Sequence, residues 1–114
     1  MRVYQLAREL VPDCWDDAKL LLEEPITTEI APQIYASVGS IAANISEAYS
    51  KSSGKDRARI FEIALGSVRE SMEWYHSSEP VLGQETSKDR LERLEEMRRI
   101  LLAIIPRERG RSMK

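Results

Sequence analysis

Apolar residues recur every three or four positions in four separate segments, and this spacing predicts four amphipathic helices. The first is predicted from about Arg2 to Glu23, with the apolar stripe Val3, Leu6, Leu10, Cys14, Ala18, Leu21 and Leu22. The stripes of the other three helices are Ile34, Val38, Ile41, Ile45 and Ala48; then Ile60, Ala64, Leu65, Val68, Met72 and Tyr75; then Leu91, Leu94, Met97, Leu101 and Ile104. No segment alternates with a period of two, so no strand is predicted.

Prolines and capping residues predict the ends of the first two helices. An interior proline removes a backbone hydrogen bond, so Pro12 predicts a kink or a late start in the first helix. Residues 24–25, Glu-Pro, end that helix. Thr27 or Thr28 is the predicted N-cap of the second helix, which ends in the turn-rich linker 51–54.

Similar signals delimit the other two helices. The third is predicted over residues 55–78, before a proline, and a loop over 81–85 follows it. The fourth has Thr86 or Ser87 as its predicted N-cap and ends at Pro106.

Four helices with short connections predict an all-α fold, an antiparallel up-down-up-down four-helix bundle. Their expected lengths are similar, roughly 28–36 Å at about 1.5 Å per residue. Residues 1–106 are expected to form the bundle domain, and residues 107–114 a basic C-terminal tail.

Composition places the chain among ordinary globular domains. Hydrophobic residues make up 42% and charged residues 32% of the chain, and no apolar run approaches the roughly 18 residues that would span a membrane. The N-terminal segment has no uninterrupted apolar stretch of the secretory kind, and the single cysteine, Cys14, cannot form an intrachain disulfide. We therefore expect a cytoplasmic protein without membrane contact, in which Cys14 fills space in the core.

The distribution of charge is more informative than the net charge of −2. That net charge argues against a protein that coats nucleic acid with its whole surface. Four basic residues cluster around the second linker and form a candidate nucleic-acid-binding site for RNA or DNA: Lys51, Lys55, Arg57 and Arg59. The alternative is a solvated loop at a helix start. Tyr49 and Trp74 could stack on bases, although Trp74 also suits a subunit interface.

A second stripe on the predicted second helix is polar and mostly made of small residues: Ser37, Ser40, Asn44, Glu47 and Lys51. Ser67 and Glu70 form a shorter counterpart on the third helix. One interpretation is ordinary solvent exposure. The other is a pair of facing polar surfaces that fix the register of helices or subunits, with a structural network of Ser40, Asn44, Glu47, Ser67 and Glu70.

Two segments resemble a known family. Residues 34–51, IYASVGSIAANISEAYSK, and 60–74, IFEIALGSVRESMEW, are similar to bacterial four-helix-bundle proteins encoded within intervening sequences of 23S ribosomal RNA. The matching residues are Ser40, Ile41, Asn44, Ile45, Glu47, Ile63, Ala64, Leu65, Gly66, Ser67 and Glu70. The chain departs from the family pattern at three positions, with Ser46 for alanine, Ala48 for glycine and Lys51 for arginine.

The resemblance implies a homo-oligomeric bundle, a ring of five subunits in family members, with no established catalytic activity. Some remote relatives are nucleic-acid-binding subunits that accompany reverse transcriptases, so contact with RNA or a ribonucleoprotein is expected by analogy only. Lys51 retains the charge of the family's arginine but not its bidentate geometry, which weakens phosphate recognition at that position.

Two motifs could indicate an enzyme. Glu73 and His76 form the Glu-x-x-His motif of di-iron bundles, but a chain with one histidine lacks a full ligand set. Arg69 followed by His76 loosely resembles the signature of small helical ribonucleases. We predict a non-enzymatic homo-oligomeric assembly or adaptor protein, without catalytic residues, metal or cofactor. The alternatives are a pure protein–protein scaffold and a ribonuclease that uses Arg69 and His76.

Overall fold

The structure, a computed structural model, describes residues 1–112 and the side chains of residues 1–110. Its helices are α1 Arg2–Glu23, α2 Ile30–Tyr49, α3 Gly54–Leu82 and α4 Gln84–Ser112. Within this part of the chain there is no strand, and the predicted all-α fold is confirmed. None of the described helices is both long and apolar enough to cross a membrane.

The four helices pack as an antiparallel bundle, because side-chain contacts join the end of one helix to the start of its neighbour. The Tyr49 hydroxyl, at the end of α2, contacts the sulfur of Met1 beside the start of α1. Arg57, in the first turn of α3, donates a hydrogen bond of 2.8 Å to Glu108 near the end of α4. α1 and α2 therefore run in opposite directions, and so do α3 and α4.

One continuous hydrophobic core fills the space between the helices. Its largest fully buried side chains are Tyr75, Phe61, Leu10, Leu21, Ile34, Ile41, Ile45, Leu94, Met97 and Leu101. The predicted stripes supply most of this core, to which Phe61 and Ile105 are additions. Leu22 is the main error, because its side chain is exposed.

Three prolines lie inside helices, and none of them ends its helix. Of the two effects predicted for Pro12, a kink or a late start, the late start is wrong, because α1 begins at Arg2, where the apolar pattern predicted its start. α3 likewise continues through Pro80 and α4 through Pro106. All three prolines are exposed, so the hydrogen bond that each one removes lies on the solvent side, where water can replace it.

The threonines between α1 and α2 terminate the first helix instead of capping the second. The Thr27 hydroxyl donates to the Leu21 carbonyl at 2.8 Å, and the Thr28 hydroxyl donates to the Glu24 carbonyl at 2.9 Å. These bonds satisfy carbonyls that have no partner within α1. The prediction of a threonine N-cap is therefore wrong, and the residue before α2, Glu29, forms no side-chain capping bond.

A single residue, Gly83, connects α3 to α4 in place of the predicted loop over 81–85. Its φ of 87° and ψ of 161° are essentially restricted to glycine, and its N–H donates to the Glu79 carbonyl at 2.8 Å. α4 begins directly at Gln84. Ser87 therefore lies inside the helix and is not its cap, and its buried hydroxyl has no hydrogen-bond partner among the described residues.

The helices are less equal in length than predicted. α1 and α2 have 22 and 20 residues, whereas α3 and α4 have 29 each. At about 1.5 Å per residue the α3–α4 hairpin is roughly 10 Å longer than the α1–α2 hairpin. Pro106, the predicted end of the bundle, therefore lies within α4. Of the predicted tail, Lys114 and the side chain of Arg111 lie outside the described part of the chain.

Candidate functional site

Serine side chains join α2 to α3 along a short polar line, which we call the serine seam: Ser37, Ser40, Ser67 and Ser71. Ser40 donates to the Ser67 hydroxyl at 2.7 Å, and Ser71 donates to the Ser37 hydroxyl at 2.9 Å. Residues on α2 and α3 pair in opposite order, as antiparallel helices require. Small side chains allow the two helices to approach closely while each hydroxyl finds a partner, which fixes the register of α2 on α3.

The other predicted members of the polar network form contacts within their own helices. Asn44 donates to the backbone carbonyl of Ser40 at 2.8 Å. Glu47 is exposed, and its carboxylate lies 3.9 Å from the amine of Lys51, in the linker directly after α2. Glu70 is exposed and accepts from the Trp74 indole at 3.2 Å. Among the predicted residues, the structure thus brings Ser40 and Ser67 together, and it adds Ser37 and Ser71.

The predicted basic cluster divides into paired and exposed residues. The Arg57 guanidinium is largely buried between the carboxylate of Glu108 and the backbone carbonyl of Lys51, so it holds α3, α4 and the linker together. Lys51 is half-buried beside Glu47. Lys55 and Arg59 remain exposed and form no ion pair with any described residue.

Because α4 continues past Pro106, it brings further arginines to the same end of the bundle. Arg107 is exposed and forms no ion pair with the described residues, while Arg109 pairs with Glu62 of α3. We call the exposed residues Lys55, Arg59 and Arg107 the basic end. The sequence separates Arg107 from Lys55 and Arg59 by about fifty positions, so only the antiparallel packing of α3 and α4 places it at the same end.

A buried ion cluster, here called the arginine clamp, joins α1 to α4 and was not predicted. Asp17 of α1 is almost completely buried and accepts from both Arg90 Nε at 2.8 Å and Arg90 Nη2 at 3.2 Å. The hydroxyl of the fully buried Tyr75 on α3 donates to the same carboxylate at 2.7 Å. Nearby, Arg93 donates to Asp13 at 2.7 Å. Two aspartates of α1 therefore pair with arginines of α4.

Ionisation in this region follows from burial and from the two arginines. Burial is the main cause that raises the pKa of Tyr75, and the contact with Asp17 raises it further. Burial also raises the pKa of the Cys14 thiol, to about 11, so this thiol is an inert part of the core, as predicted. Burial acts to raise the pKa of Asp89, but hydrogen bonds from Arg90 and Arg93 outweigh it and lower that pKa.

The residues considered for catalysis do not assemble into a site. His76 lies in an open groove between α3 and α4, and Arg69, two turns earlier on α3, does not line that groove. Within the described residues, no group of three or more histidine, cysteine or acidic side chains could hold a metal ion, and Glu73 is exposed. Among the described residues, the structure therefore does not bring Arg69 into the groove that His76 lines.

Comparison with known proteins agrees with this architecture. A crystal structure of a protein of unknown function from the S23 ribosomal protein family, from Bacteroides thetaiotaomicron VPI-5482, superposes with a TM-score of 0.83. The two sequences are 26% identical, and the match covers 90% of this chain and 97% of the other. No curated protein matches the chain. The family model described as 23S rRNA-intervening sequence protein matches residues 1–103, and the chain therefore belongs to that family.

Proposed function

We propose that this protein is a non-enzymatic, homo-oligomeric adaptor that contacts RNA, or a ribonucleoprotein, through the basic end. The observation that carries the proposal is the convergence of Lys55, Arg59 and Arg107 at one end of the bundle, each exposed and without an ion pair in the described chain. Family membership supports the same direction, because the family takes its name from 23S rRNA intervening sequences. A pure protein–protein scaffold is the competing function.

Oligomerisation matters to this function because one subunit offers few charges. Three phosphate contacts by one subunit give weak binding with a shallow salt dependence, a slope of about −2 in a plot of log K against log salt for a single strand. A ring of five subunits, as the family resemblance implies, would repeat the basic end five times. Simultaneous contacts along one strand raise the overall affinity by their effective concentration.

The test is fluorescence anisotropy of a labelled single-stranded RNA, measured with the full chain over a series of salt concentrations. Binding that weakens steeply with salt is expected, and Arg59→Ala should reduce both the affinity and the salt slope. Arg99→Ala is the matched control, because Arg99 is also an exposed arginine but lies on α4 away from the basic end. Unlabelled duplex DNA as competitor reports whether RNA is preferred.

Three outcomes would reject the proposal. A flat anisotropy signal at low salt would leave the scaffold function. Equal losses for the Arg59 and Arg99 variants would move the contact away from the basic end. Cleavage of the labelled RNA that His76→Ala abolishes would instead support the ribonuclease alternative.

A further inference from the structure

The outer surface of α1 and α2 carries a mostly apolar strip, here called the apolar face, with Arg8 and Lys19 of α1 at its edge. It contains Met1 just before α1, then Tyr4, Val11, Trp15 and Leu22 of α1, and Pro32, Tyr35, Gly39, Ser46 and Tyr49 of α2. Within each helix these positions are three, four or seven residues apart, so they share one side. About a third of the whole chain is charged, whereas the charged residues interspersed among these positions, Arg8 and Lys19, both lie on α1 and are both basic.

Two shallow grooves lie between the helices along this face. One, of about 350 Å³, is lined by Trp15, Leu22, Pro32 and Tyr35, with the edge of the Trp15 ring against Tyr35 at a centroid distance of 5.3 Å. The other, of about 240 Å³, is lined by Met1, Tyr4, Ser46 and Tyr49 at the opposite end of α1. The face therefore extends over most of the length of the α1–α2 hairpin.

The exposed area of the face matches what a subunit interface requires. Met1, Tyr4, Trp15, Leu22 and Tyr49 each expose between 37% and 54% of their surface. At roughly 200 Å² for each large side chain, they leave about 500 Å² of mostly apolar surface in contact with water. A stable interface buries about 800 Å² on each partner, of which about 60% is apolar. The exposed apolar area of the face is therefore enough to supply the apolar part of such an interface.

The charges beside the face are complementary to one another. Arg8 and Lys19 lie on the outer side of α1, and Glu29 and Glu47 lie on the outer side of α2, all of them exposed. Lys19 lines the same groove as Pro32, so it is level with the start of α2 near Glu29. Arg8 lies between Tyr4 and Trp15, nearer the start of α1. It is therefore closer than Lys19 to the level of Glu47, which lies near the end of α2.

We propose that the apolar face is the self-association surface of this protein and that its occupant is a second copy of the same chain. α1 of one copy lies along α2 of the next, and both copies point in the same direction. Lys19 then faces Glu29 of the neighbouring copy, and Arg8 faces its Glu47. A two-fold pair and a closed ring both satisfy this arrangement. The inference rests on the homo-oligomer of the proposed function and assigns its interface to named residues.

The test compares two leucines of α1 that differ only in the side of the helix they occupy. Leu22 belongs to the apolar face and is 54% exposed, whereas Leu20 is 49% exposed and lies on another side of α1. The mass of the full chain is measured by light scattering after size exclusion, over a range of concentrations. The wild type and Leu20→Glu should give the same multiple of 13.1 kDa, and Leu22→Glu should give the monomer mass.

A carboxylate at position 22 would be buried without a partner, so the concentration for half-dissociation should rise by about tenfold or more. Because both leucines are exposed, circular dichroism should show that both variants remain helical. Charge exchange tests the pairing of α1 with α2: Lys19→Glu and Glu29→Lys should each weaken association. An equimolar mixture of these two variants should restore it.

The outcomes separate this inference from the function on which it rests. An oligomeric wild type whose mass is unchanged by Leu22→Glu would overturn the assignment of the interface and leave the homo-oligomer intact. A wild type that is monomeric at every concentration would overturn both the interface and the homo-oligomer, and the apolar face would then suit a different protein. The RNA anisotropy measurement is independent of either result.

Discussion

The arginine clamp predicts that Asp17→Asn destabilises the protein far more than an ordinary surface substitution. Asparagine has nearly the same shape as aspartate, so the core around position 17 keeps its packing. The change removes the negative charge and replaces one acceptor oxygen by an NH₂ donor that faces the Arg90 guanidinium. Tyr75, which is fully buried, keeps at most one neutral acceptor in place of a carboxylate.

The expected loss in the free energy of unfolding follows from the burial of Asp17 and Arg90. The side chain of Asp17 is 4% exposed and that of Arg90 is 16% exposed. Removing one partner of a buried ion pair costs about 3–5 kcal/mol, because the other charge stays behind. Arg90 retains Asp89 at 2.6 Å and some access to water, which lowers the expected loss to about 2–3 kcal/mol.

The assay is urea unfolding followed by circular dichroism at one fixed protein concentration, because association with other subunits would change the apparent stability. With a slope of about 1.5 kcal/mol per molar urea, the midpoint should fall by about 1–2 M. Asp16→Asn is the control, since Asp16 is the exposed neighbour on the same helix. Replacing Asp17 by leucine and Arg90 by methionine together should cost less than Asp17→Asn alone.

If Asp17→Asn and Asp16→Asn differed by less than about 0.5 kcal/mol, the clamp would contribute nothing beyond surface ion pairs. That result would refute the argument that charge burial makes Asp17 important. If the double variant, with leucine at position 17 and methionine at position 90, were as unstable as Asp17→Asn, the cluster would instead stabilise the fold through its packing rather than its charge.

Two further predictions concern ionisable groups. The pKa of Asp89 in the fold lies below its ordinary value of 3.8, so its ionised form stabilises the fold above that pH, and this stabilisation is lost as the pH falls below it. Acid titration of Asp89→Asn should therefore show a smaller loss of stability below pH 3.8 than the wild type, and an identical loss would contradict the contacts with Arg90 and Arg93. The buried Cys14, with its pKa of about 11, should resist a thiol reagent at pH 8 until urea unfolds the chain, whereas rapid labelling of native protein would contradict its burial.

The hydrophobic pattern alone determined how many helices the chain forms and which side of each helix is buried. The stripe of α2, for example, lies entirely in the core from Ile34 to Ala48. This information is local, because a helix brings residues three and four positions apart to one side whatever its neighbours are. The polar spacing on α2 and α3 likewise predicted Ser40 and Ser67, which bond directly across the two helices.

Only the tertiary structure decided where the helices end and which polar groups find partners. Pro106 does not stop α4, because its exposed position leaves the lost hydrogen bond accessible to water. The pairing of Asp17 with Arg90 joins residues 73 positions apart, and no spacing within one helix can indicate it.

Spacing within one helix also could not predict the two surfaces to which we assign function, the basic end and the apolar face. Trp15 and Leu22 have the apolar character of core residues, and only the position of α2 beside α1 shows that they remain at the surface. Arg59 and Arg107 share one end of the bundle because α3 and α4 are antiparallel and equally long. Periodicity determines one helix at a time, whereas a surface depends on which helices become neighbours.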